Sequence, residues 1–83
     1  MKFVAQIDIM PLKALLDPQG KAVTSSMKNI GLGDISNVRI GKHIRLEVEA
    51  EDRFKASEMV QKACQDLLCN QIMEEFKFEL TEM

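Results

Sequence analysis

Val38-Arg39-Ile40-Gly41-Lys42-His43-Ile44-Arg45-Leu46-Glu47-Val48-Glu49-Ala50 is the stretch that decides how this chain folds. Val38, Ile40, Ile44, Leu46, Val48 and Ala50 all fall on even positions, on both sides of a break at Gly41-Lys42-His43. Alternation of apolar and polar residues is the period of a strand with one buried face. The pattern predicts two antiparallel strands joined tightly. Parity constrains the join. With a two-residue loop at Gly41-Lys42, Ile40 would pair with His43 and Val38 with Arg45, and the apolar faces would disagree. A loop with an odd number of residues, or a bulge, restores agreement, and Gly41 is suited to the positive φ such a loop needs.

Upstream of this pair lies a helix. Asp17 is placed as its N-cap, because a carboxylate accepts from the free N–H groups of the first turn, and Pro18 takes the position where a missing N–H costs nothing. Val23, Met27 and Ile30, spaced i, i+4, i+7 with Ala22 beside them, predict a buried stripe on a helix from Pro18 to about Ile30, stopped by a left-handed Gly31. Gly20 breaks the pattern. A glycine early in a helix costs up to about 1 kcal/mol relative to Ala, so it signals a close approach to the backbone or an unusual helix start. Further upstream, Phe3, Ala5, Ile7 and Ile9 alternate with Gln6 and Asp8 as a strand ended by Pro11, and Leu12, Leu15 and Leu16 read as an irregular connection.

Downstream, Asp52 is placed to cap a second helix. Ala56, Val60, Ala63 and Leu67, flanked by Met59, Cys64 and Leu68, form its wide apolar stripe; Lys55, Glu58, Gln61, Lys62, Gln65 and Asp66 take the wet face. Asn70 reads as the stop. Phe76, Phe78 and Leu80 then alternate with Glu75, Lys77 and Glu79 as a last strand. The order is β-α-β-β-α-β in a single domain, residues 1–83. Its simplest closure is an α+β fold, one four-stranded antiparallel sheet with two helices on one face. The C-terminal strand falls at or near an edge, open to pairing with or exchange into a neighbouring subunit.

Composition narrows the function. The chain is 46% hydrophobic and 29% charged, the balance of a folded soluble domain rather than a disordered one. A net charge of −2 with no basic block gives no reason to expect nucleic acid or an anionic membrane surface as partner. The N-terminal residues are interleaved with polar side chains, unlike a signal peptide or membrane span. Cys64 and Cys69, five apart, point in different directions on an α-helix and make no CxxC pair; reduced thiols in the cytoplasm are the default. A core this small favours oligomerisation.

Catalysis needs a nucleophile, a base and a polariser brought together, and the residues supply no such set. His43 reads as an exposed turn residue and Cys64 as a small core residue. Glu47, Glu49 and Glu51 share one parity and line one strand face, a solvated or partner-facing row rather than the convergent ligands of a metal site. Gly20-Lys21 matches the end of a phosphate loop, but Leu15 stands in place of its first glycine and Ala22 in place of its hydroxyl. The phenylalanines lie at apolar-face positions, where core packing explains them without base stacking. The same element order occurs in amino-acid-sensing regulatory domains, so a small dimeric domain binding an amino acid or nucleotide stays open.

Leu16-Asp17-Pro18-Gln19-Gly20-Lys21-Ala22-Val23, then Val38-Arg39-Ile40-Gly41-Lys42, then Ala63-Cys64 with Leu67-Leu68-Cys69-Asn70 resemble the PurS family of phosphoribosylformylglycinamidine (FGAM) synthase subunits. One position departs: Gln71 follows Asn70 where the family pattern has a proline. The resemblance implies a PurS-like or ferredoxin-like fold and a role in de novo purine biosynthesis. It implies a non-catalytic bridge that dimerises, with a tetramer left open. Such a bridge joins a PurL-type synthetase to a PurQ-type glutaminase and supports ammonia transfer. ATP and magnesium would be used by the large subunit, with no cofactor on this chain. It further implies partner contacts at Gln19, Gly20, Lys21, Arg39, Gly41 and Lys42.

Overall fold

A computed structural model describes residues 1–13 and 17–83; the connection read at Leu15 and Leu16 lies outside the described residues. The elements are β1 (Lys2–Pro11), α1 (Pro18–Asn29), β2 (Lys42–Glu49), α2 (Arg53–Ala63), continued by a π-helical turn (Cys64–Leu68), and β3 (Glu74–Glu82). The sheet is antiparallel in the order β2-β1-β3, with β1 in the centre. The fold is therefore α+β, as its sequence indicates, with three strands among the described residues rather than four.

The register explains the centre. Ile7 stands between Ile44 and Phe78, and Ala5 between Leu46 and Leu80, so all three strands turn their apolar residues to one face. Phe3, Ala5, Ile7 and Ile9 are buried there with Ala56 and Val60 of α2 and Cys64 of the π turn. Each helix starts as its sequence predicts. The Asp52 carboxylate accepts from Lys55 N–H at 2.8 Å, and α1 ends on a left-handed Gly31 (φ 82°) with Leu32 N–H bonded back to Met27 O at 2.8 Å. Asn70 instead forms an Asx turn, its side-chain oxygen accepting from Ile72 N–H at 3.1 Å.

Three expectations are corrected. The hairpin across Gly41 does not form: residues 35–41 are irregular and only Lys42–Glu49 is strand. Val38 and Ile40, whose N–H groups a hairpin would engage, donate them to side chains of the α1 region instead. Gly41 accordingly has no positive φ. Second, α1 does not lie on the sheet beside α2. Gly20 is its one buried residue, while Ile30 of the predicted stripe is 69% exposed. Third, Leu67 is 81% exposed. The wide π turn, closed by Cys69 N–H on Cys64 O at 3.0 Å, adds a residue to the helical repeat. The inward positions become Val60, Cys64 and Cys69 in place of Val60 and Leu67. Both thiols thus enter the core rather than pointing apart.

Candidate functional site

The first turn of α1 is tied to the segment before β2. Asp17 is extended (φ −113°, ψ 90°) and caps the helix, Oδ1 accepting from Gly20 N–H at 3.0 Å. Its other oxygen accepts from Ile40 N–H, also at 3.0 Å. One turn on, the Thr24 hydroxyl donates to Gly20 O at 2.8 Å and accepts from Val38 N–H at 3.1 Å. The two segments run so close that a Cβ on Gly20 would collide with the Val38 carbonyl. The close approach its helix position calls for is therefore made by the chain's own backbone. Hydrogen bonds from the Gly20 amide first, then the Ile40 amide, hold the Asp17 carboxyl below the usual carboxylate range.

The same end of the sheet gathers the remaining candidates. The Arg39 guanidinium donates to the Pro11 carbonyl at the end of β1. Gly41 abuts β1, where a Cβ would meet the Ile9 carbonyl and the Met10 sulfur; close approach, not turn geometry, accounts for this glycine. Lys42 Nζ stands 3.8 Å from Glu74 at the start of β3. Gln19 and Lys21 project into solvent from α1. Beside them an open cleft of about 440 Å³ is lined by Pro11, Asp17, Pro18, Gln19, Asn70, Met73 and Glu74. Thr24 and the second role of Asp17 were not foreseen. Their partners Val38 and Ile40 are 14 and 23 residues away, and no short-range spacing signals such contacts.

The open face of the sheet is polar. His43 is the second residue of β2, not a turn residue, with Nδ1 2.6 Å from Asp8 and Nε2 2.7 Å from Gln6. Hydrogen bonds from Arg45, then Lys2, keep the Glu47 carboxyl below its ordinary range. Burial raises both thiol pKa values, so Cys64 and Cys69 stay protonated and inert at neutral pH. Among the described residues no group of three or more His, Cys, Asp or Glu converges on a metal position, and no helix is long and apolar enough to cross a membrane. What this geometry offers a partner is shape, exposed amides and cations at one end of the sheet.

The family model described as PurS, phosphoribosylformylglycinamidine (FGAM) synthase, matches residues 4–82. The chain belongs to the PurS family. Its relatives include a phosphoribosylformylglycinamidine synthase subunit PurS from Synechocystis sp., 41% identical over 70 residues, spanning 84% of this chain and 70% of that one. The PurS structure from Bacillus subtilis superposes with a TM-score of 0.88 at 30% identity, over 96% of this chain and 99% of the other. A chain in the structure of PurLQS from Thermotoga maritima superposes with a TM-score of 0.89 at 34% identity, over 98% of this chain and 99% of that one. PurS membership makes the chain a subunit of FGAM synthase, in purine biosynthesis. The six positions singled out from the sequence lie on α1 and on residues 39–42, the two segments that Asp17 and Thr24 lace together.

Proposed function

We propose that this chain is the non-catalytic bridge of FGAM synthase. It self-associates, joins a PurL-type synthetase to a PurQ-type glutaminase, and supports the passage of ammonia between them. The observation that carries the reading is the close match, over nearly the whole chain, to a chain of PurLQS. The contact surface is the laced end of the sheet. Gln19, Lys21 and Lys42 present polar groups to the larger subunits, while Gly20, Arg39 and Gly41 hold the two segments in place. The free outer edge of β3 offers a second copy a strand to pair with, by addition or by exchange. The chain carries no cofactor of its own; the synthetase uses ATP and magnesium, and the complex works in the cytoplasm.

Reconstitution tests this. The isolated chain is expected to be inactive, yet to restore glutamine-dependent synthesis when mixed with the two larger subunits. Equal synthesis from glutamine without it would sink the bridge. The double variant Gln19→Ala with Lys21→Glu is expected to cut that restoration at least about tenfold while leaving Tm within a few degrees, because both side chains are exposed.

A further inference from the structure

Both cysteines of the chain sit in its core, and the bridging role uses neither. Cys64 opens the π turn and is 0% exposed; Cys69 directly follows it and is 6% exposed. On an α-helix, residues five apart have Cα atoms about 8.7 Å from each other, from its rise and radius. A disulfide needs about 4.4–6.8 Å. The π turn changes that spacing. Cys69 N–H donates to Cys64 O at 3.0 Å. An α-helix makes the same bond between residues four apart, whose Cα atoms stand about 6 Å from each other. The turn therefore draws this pair into the disulfide range. Both side chains also enter one apolar cluster, with Val60 between the helix and β1. Burial first, then the neighbouring Cys69, raises the Cys64 thiol, so the two sulfurs lie within reach of each other's charge.

We infer that Cys64 and Cys69 form an oxidisable dithiol, which a low-molecular-weight disulfide converts into an intramolecular bridge across the π turn. Closed and protonated, the pair does not react. Reaction goes through opening at the C-terminal end of the turn, where Ile72 is 84% exposed and local unfolding uncovers little besides Cys69. Cys69 then loses its proton to water, and its thiolate attacks one sulfur of the oxidant. The oxidant's S–S bond breaks and one thiolate leaves. Cys64 next gives up its proton and attacks the Cys69 sulfur of the mixed disulfide, and the second thiolate leaves. The two leaving thiolates take up the two protons, so the pair loses two electrons and the oxidant becomes two thiols. The bridge fixes the turn in the geometry it already has, and a thiol reductant reverses it. Because this turn delivers the chain to Glu74, which pairs with Lys42, oxidation stiffens the end of the sheet where the partner candidates gather.

The test equilibrates the full-length chain, dilute and starting from both redox states, with mixtures of reduced and oxidised glutathione, in native buffer and in urea. Products are trapped, cleaved before Asp66 and read by mass. The expected oxidised product is a pair of fragments joined from Cys64 to Cys69 and parted by dithiothreitol. Its equilibrium constant is expected to be about tenfold larger in native buffer than in urea, because the fold holds the sulfurs together and the unfolded chain does not. The far-ultraviolet spectrum is expected to stay unchanged on oxidation. A native constant equal to or below the one in urea overturns the inference. So does a native chain that stays reduced once the urea sample has reached equilibrium. Glutathione adducts or bridges between chains as the main oxidised product, or a helical signal lost on oxidation, overturn it as well.

Discussion

Gly20 is the residue at which local rules and tertiary structure meet. An alanine there would recover about 1 kcal/mol of helix propensity. It would also push a methyl group into the Val38 carbonyl, and overpacking of that kind costs about 1–3 kcal/mol. The second effect wins, so Gly20→Ala is expected to destabilise the chain by on the order of 1 kcal/mol, and Gly20→Val by more. Denaturant unfolding gives the size, and faster hydrogen exchange at the Val38 and Ile40 amides gives the place. Asp17 supplies a pH dependence at the same junction. Its folded pKa lies below the unfolded one, so the stabilisation is fully present above about pH 4 and is lost as pH falls through the folded value. The Ile40 amide should therefore lose protection on acidification, and Asp17→Asn should remove that step. An Asp17→Asn profile identical to the parent would show that another group controls it. The need for close approach at Gly20 was legible in sequence, since a glycine in a first turn contradicts helix grammar. What approaches was not, because the Val38 carbonyl arrives from eighteen residues away.

At the scale of elements, legibility followed how much of each pattern is local. β1, α2 and β3 could be read because one buried face repeats at a fixed period and each cap lies within three residues of its target. The hairpin could not be excluded from the sequence, because Val38 and Ile40 keep strand parity while their amides are drawn to Thr24 and Asp17. The π turn was equally invisible: one extra residue per turn leaves composition unchanged but exchanges Leu67 for Cys69 at the core. That exchange gives a sharp contrast. Val60→Ala is expected to cost about 2 kcal/mol, for the apolar surface it no longer buries. Leu67→Ala, at a position that spacing alone would rank as core, is expected to stay within about 0.5 kcal/mol. Denaturation midpoints of the two variants measured side by side check this, and equal losses would mean that Leu67 is sealed, by α2 or by a second chain.

The whole molecule is not the shape of an independent domain. A compact chain of this length has a radius of gyration near 12 Å, whereas this one has 16.5 Å. The excess comes from the arm of α1 and residues 30–41, which buries little of its own apolar surface yet is fastened by ordered hydrogen bonds. Fixing an exposed arm costs conformational entropy that its sparse burial does not offset; under the self-association proposed above, contacts between chains supply the remaining stability. Folding and association are then one equilibrium, and Tm depends on protein concentration. For a dimer of this chain length, with about 2.1 cal/mol/K of unfolding entropy per residue, Tm is expected to rise by roughly 4 °C for each tenfold increase in chain concentration. Calorimetry over two decades of concentration checks it, with reversibility confirmed by rescanning. A Tm constant over that range would mean that the arm is held by the single chain alone, or that association survives unfolding. Repeating the series with Met27→Asp and Ile30→Asp separates those cases. A constant Tm equal to the parent's assigns the stability to the single chain, and a constant but lower one assigns it to an association tight enough to persist through the transition.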